Sequence, residues 1–210
     1  QEIKDMWPEV ERTCCVMSQN VRIKYGQREV RQEENENGII MLADSTFFQF
    51  FDFELVNGDR KTALNAPDKC VITERLAQRL FGEKNPIGES LQIVGERSVY
   101  INNEDPFDST LVYTVSAVSK EFDHTVLPNE TQLIVSMERF PQVMGYTLKP
   151  NAFAYGGTGA CKAFLMLRPG TTLDAKKKMI DDHLTNNYFL WARFGPDHEF
   201  TATPLTDIMF

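Results

Sequence analysis

The chain has 210 residues, 42% hydrophobic and 25% charged, which suits a globular chain of one large domain or two small ones. Its formal net charge of −8 excludes a basic nucleic-acid footprint, and an anionic membrane surface would repel it. No apolar run reaches the ~18–20 residues of a bilayer span, and no basic stretch before an apolar one marks a signal peptide. Gln1 at the start reads as the edge of a piece cut from a longer chain.

Ile3, Met6 and Trp7 lie at helical spacing ahead of Pro8, so residues 1–9 read as the end of a helix. Val10 to Ser18 is rich in β-compatible residues and reads as a strand. Val21, Ile23 and Tyr25 share one side of a second strand, Arg22 and Lys24 the other, and Gly26 breaks it. Gln27 to Asn37 carries Glu29, Glu33, Glu34 and Glu36 and reads as a solvated edge and loop rather than an acidic partner site. Gly38 opens the apolar strand Ile39–Leu42. Asp44 is placed to cap a short helix that Phe47, Phe48, Phe50 and Phe51 surround, so that helix is expected to be largely buried. Asn57-Gly58 is a turn signal, and residues 65–68 form a loop.

The next stretch, residues 70–93, is the most fully specified. Cys70-Val71-Ile72 is a short apolar strand, and Thr73 is a helix N-cap. Leu76, Ala77, Leu80 and Phe81 make one buried helical stripe, with Glu74, Arg75, Gln78 and Arg79 on the wet face. Gly82 stands where a left-handed cap favours a residue without Cβ. Asn85-Pro86-Ile87-Gly88 is a tight turn, and Glu89 to Ile93 alternates as the following strand.

Beyond it, residues 93–101 continue as strand, with Gly95 at a bend, and residues 102–108 form a polar loop. Glu104, Asp105 and Asp108 lie close together there, but the spacing of a calcium loop is missing. Leu111–Val118 is a strand, 119–131 a loop, Leu133–Met137 a strand, and 138–144 a short helix interrupted by Pro141. The glycine-rich stretch from Lys149 to Lys162 is the best linker; its GGTGACK lacks the phosphate-loop spacing. Ala163–Leu167 reads as a buried strand. Thr172 or Asp174 caps a helix over 173–191, with Leu173, Ile180, Leu184 and Tyr188 on one face and Lys176, Lys177 and Lys178 as a solvated run. A last strand covers 199–205. The fold class from the residues is α+β, with the glycine-rich segment as one boundary.

For chemistry, Glu121, Asp123 and His124 are the best polar cluster, and loop solvation accounts for them. Asp181 and Asp182 point about 100° apart on a helix, so they make no acid/base pair, and His183 reads as a helix-surface residue. His198 has no His or Cys in register. The four cysteines, 14, 15, 70 and 161, lack zinc spacing and read as small buried hydrophobes. One disulfide, such as Cys161 with Cys14 or Cys15, stays open outside the cytoplasm. No nucleophile elbow exists. The chain is therefore read as non-enzymatic, with no catalytic, cofactor-binding or metal residue.

The string VITERLAQRLFGEKNPIGESLQI resembles the central signature of the MacB-like periplasmic core domain, the extracytoplasmic insert of FtsX-like ABC transporter permeases. Asp44 to Gly58 resembles the family's aromatic helix and Leu-x-x-Gly turn, and Leu111 to Val118 its Val-Gly-Val strand. Two positions depart from the pattern: Asp59 precedes Arg60 where Gly-Arg is common, and Ser116-Ala117-Val118 replaces Val-Gly-Val. The resemblance implies two lobes, a β-α-β porter-like lobe from residues 1–44 and 160–210 and an inserted, mostly β sabre-like lobe from 45–159. It implies a non-catalytic periplasmic domain of a bacterial inner-membrane permease, with one span before Gln1 and three after Phe210. That domain would transmit ATP-driven motion of membrane helices to an envelope partner or substrate. The implied partners are a cytoplasmic ATPase, a second or related permease, and an envelope adaptor or lipoprotein. The alternative is a free-standing extracytoplasmic binding protein whose Phe47–Phe53 rings line a pocket for a peptide or lipid.

Overall fold

A computed structural model describes residues 6–19, 21–30, 40–95, 110–122, 125–127, 130–139, 161–187 and 202–208. The chain divides into two compact units. One holds Cys14–Thr147 with Cys161–Ala163; the other holds Gln1–Thr13, Leu148–Ala160 and Phe164–Phe210.

The larger unit is a mixed sheet. Among the described residues its strands are β1 (Val10–Gln19), which enters this unit at Cys14, β2 (Val21–Tyr25), β3 (Arg28–Val30), β4 (Ile40–Ala43), β5 (Leu55–Asn57), β6 (Lys69–Thr73), β7 (Ser90–Gly95), β8 (Thr110–Ser119) and β9 (Leu133–Ser136). They lie in the order β1-β4-β9-β6-β8-β7-β2-β3, with β5 pairing β8 off that path. Two neighbouring pairs are parallel, β4 with β9 and β6 with β8. The central strands read Ile-Met-Leu-Ala, Cys-Val-Ile-Thr and Leu-Ile-Val-Ser and are buried throughout, as strands covered on both faces must be. Strand β2 instead alternates over its first three residues. Val21 and Ile23 are buried and Arg22 between them is only half-buried, because one of its faces meets water.

Among the described residues, two short α-helices belong to this unit, α1 (Phe47–Phe50) and α2 (Glu74–Phe81). The expectations for α2 hold at both ends. The Thr73 hydroxyl accepts from Leu76 N at 3.4 Å, and Leu76, Leu80 and Phe81 are buried. Gly82 takes φ +62° while its N–H donates to the Gln78 carbonyl. A Cβ at Gly82 would meet no atom within 4 Å. Gly82→Ala should therefore cost only the conformational term, about 1–3 kcal/mol by urea unfolding; a wild-type midpoint would mean the left-handed geometry is not retained. The following turn closes through Glu89 N to Pro86 O at 3.0 Å, with Gly88 at φ +84° as its third residue.

Two expectations for this unit need correction. Asp44 does not cap α1: the residue before the helix is Thr46, which makes no side-chain cap, and the Asp44 carboxylate accepts from Cys15 N at 2.7 Å. Cross-strand contact with β1 wins over the local cap because the strand amide is already held at bonding distance. Phe47 and Phe48 are buried, but Phe50 and Phe51 are only half-buried, since a single turn of helix cannot bury all sides.

In the smaller unit, Trp7, Val10, Leu173 and Ile180 form a core, with Met6, Leu165, Leu167 and Leu184 packed against it. Strand β10 (Cys161–Leu167), which belongs to this unit from Phe164 onward, starts two residues earlier than the linker expectation allowed. Residues Phe164 to Leu167 are half-buried and Ala163 is exposed, so β10 is not the buried strand its apolar run suggested. Helix α3 (Lys177–Asn187) follows a 3-10 turn, Asp174–Lys176, whose start is held by the Thr172 hydroxyl accepting from Asp174 N at 3.0 Å. Lys176 is not part of a free solvated run. It pairs with Glu9 at 2.7 Å, and this bond holds the Glu9 carboxyl below its ordinary range. The last expected strand is also absent where described: residues 202–204 are irregular and Leu205–Asp207 is a 3-10 turn. The acidic loop from 31 to 39, the carboxylates of 102–108, the short helix and linker over 140–160, Tyr188 and His198 lie outside the described residues.

Candidate functional site

The aromatic cluster, the Asp59–Arg60 departure and Glu121 lie around the α1–β5 turn or at an end of α2. Phe47 lies 4.9 Å from Phe48 (centroid to centroid), 5.2 Å from Phe51, 5.7 Å from Phe53 and 6.4 Å from Phe122. Phe53 also meets Phe122 edge-on at 4.9 Å. Edge-to-face and offset contacts of this kind fill space efficiently. Phe47 and Phe48 are sealed from solvent, so these two rings serve as core and do not line an open ligand pocket.

The two departures from the family pattern have structural work. Asp59 Oδ1 accepts from Lys61 N at 2.8 Å, and its carbonyl accepts from Ala63 N. Arg60 donates to the carbonyls of Phe48 at 3.1 Å and Phe51 at 3.3 Å, and pairs with Asp52 at 3.0 Å. It thus satisfies the C-terminal carbonyls of α1 with a cation, the sign the helix dipole favours. The Ser116 hydroxyl bonds between the carbonyls of Ala63 and Cys70, the latter at 2.9 Å.

Glu121 is the described member of the Glu121–Asp123–His124 cluster; the other two lie outside the described residues. Its carboxylate accepts from Arg75 N at 2.9 Å and faces the Arg75 guanidinium at 3.5 Å. It therefore caps the amino end of α2, where backbone N–H groups need acceptors and the dipole favours negative charge. Beside it Lys120 pairs with Glu74 at 3.1 Å.

At the other end of α2, Arg28 donates to the Leu80 carbonyl at 2.6 Å, and the Tyr25 ring lies 4.3 Å from Phe81. The Tyr25 hydroxyl donates to Glu89 at 2.8 Å, while Lys84 donates to the same carboxylate at 2.8 Å and to the hydroxyl at 2.9 Å. These bonds hold Glu89 below, and Lys84 above, their ordinary values. A depressed carboxyl stabilises the fold above its unfolded pKa and ceases to do so as pH falls through the folded one. The unfolding midpoint of wild type should exceed that of Glu89→Gln at pH 7, and the gap should close on acidification below pH 4.5, the ordinary glutamate value. A gap independent of pH would show that charge plays no part.

The remaining candidates stay apart. On α3, Asp181 and His183 are half-buried and Asp182 is exposed. Cys14 and Cys70 are free, buried thiols; burial pushes Cys14 up to about 12 and raises Cys70 further, far from the reactive thiolate range. Among the described residues no group of three His, Cys, Asp or Glu side chains could hold a metal ion, and no helix is long and apolar enough to cross a membrane. The contacts at α1 and α2 close helix ends and fix turns; what the arrangement does physically is hold shape.

The MacB-like periplasmic core domain family matches residues 4–183. No curated protein matches the chain. Among solved structures, a domain of a permease protein from Porphyromonas gingivalis is similar at TM-score 0.59 and 17% identity, covering 90% of this chain and 76% of that one. The extracellular domain of the noncanonic ABC-type transporter YknZ from Gram-positive bacteria is similar at TM-score 0.53 and 12% identity, over 85% of this chain and 76% of that one. The periplasmic region of MacB from Actinobacillus actinomycetemcomitans is similar at TM-score 0.54 and 11% identity, over 88% and 71%. At these identities the likenesses speak to the fold, a mixed sheet with few helices. The match across residues 4–183 shows that this chain belongs to the MacB-like periplasmic core domain family of ABC transporter permeases.

Proposed function

We propose that this chain is a non-catalytic, extracytoplasmic arm of an ABC transporter permease. It passes ATP-driven movement of membrane helices to an envelope partner or a substrate. The family match over residues 4–183 carries the reading. The physical support is that Arg28, Arg60, Glu121 and Glu89, around α1 and α2, are spent on backbone carbonyls, helix ends and opposite charges. A body stiffened in this way transmits displacement, whereas an active site needs polar groups held in readiness. The reading keeps two lobes, a porter-like one from residues 1–44 and 160–210 and an inserted sabre-like one, 45–159. A smaller compact unit that contains both ends of the chain supports a lobe made from both termini, whereas residues 14–44, which fall in the larger unit, do not support the boundary at 44. The partners in this reading are a cytoplasmic ATPase acting through the parent permease, a second or related permease, and an adaptor or lipoprotein of the envelope.

The test uses the parent permease with its ATPase in nanodiscs, spin-labelled at an exposed α2 position such as Gln78 in each of two permease subunits. The label separation should change between nucleotide-free and vanadate-trapped states, and a Walker-lysine variant of the ATPase should abolish the change. An unchanged separation, or turnover of a small molecule by the isolated domain, would overturn the reading.

A further inference from the structure

We draw no further inference here: the strongest candidate, the amino end of α2 with the buried, unpartnered hydroxyls of Ser119 and Thr131 in the same unit, carries nothing because the chain's own Glu121 carboxylate already fills that helix end and nothing in the structure aims the two hydroxyls at it.

Discussion

Gly58→Ala should lower the stability of the domain by about 2–6 kcal/mol, since backbone strain and overpacking each cost roughly 1–3 kcal/mol. Gly58 has φ +99°, a conformation that residues with a Cβ rarely adopt. An added Cβ would also lie 2.5 Å from Ala117 Cβ and 2.8 Å from both Ala117 Cα and Ser116 O. Two of those three obstacles are backbone atoms of β8, which cannot swing aside as a side chain can. Adding Ala117→Gly should therefore recover less than half of the loss in urea unfolding. Full recovery by the double variant would show that only the two methyl groups collide and that the backbone conformation costs nothing. Gly82, with a similar sign of φ but open space around it, is the matched control, and its smaller expected loss separates strain from collision.

Phe47→Ala should cost about 3–5 kcal/mol, the range for removing a sealed aromatic ring from a core that can collapse only in part. The ring touches four others, and the neighbours Phe51 and Phe53 are themselves anchored by the turn that Arg60 closes. Phe47→Leu keeps much of the apolar volume and should cost less than half as much. Phe50→Ala should also be milder, because that ring is only half-buried. Equal losses at Phe47 and Phe50 in chemical denaturation would contradict this packing, as would a loss below about 1 kcal/mol at Phe47.

The two variants probe features of different legibility. The aromatic cluster was readable as core because five phenylalanines crowd into residues 47–53. The Gly58 turn was readable from Asn57-Gly58, but not the reason glycine is needed, which is β8 lying against it. Asp44 shows the converse. Its position just ahead of the Phe helix fits a cap, yet its carboxylate is taken by Cys15, 29 residues away. Glu121 was visible as a charged loop residue, but its role as a cap depends on Arg75, 46 positions earlier. Arg28 and Leu80 are 52 apart, and no local pattern announces their bond. Strand β10 was misread for a related reason: an apolar run states what a strand could bury, while its neighbours decide how much is covered.

Taken alone, the sequence determined the α2 segment from Cys70 to Ile93, the apolar strands around it and the α+β class, and its resemblance to known motif strings pointed to the family. The local features rest on preferences that act over a few residues: a hydroxyl three positions from an amide, a glycine at a positive φ, a proline before a turn, side-chain alternation along a strand. Only the tertiary structure decided the strand order with its two parallel pairs, the work of Asp44, Arg60 and Glu121, and the exposure of β10. Those depend on which distant segments meet, and a charged or apolar side chain takes whichever partner the assembled chain brings within reach.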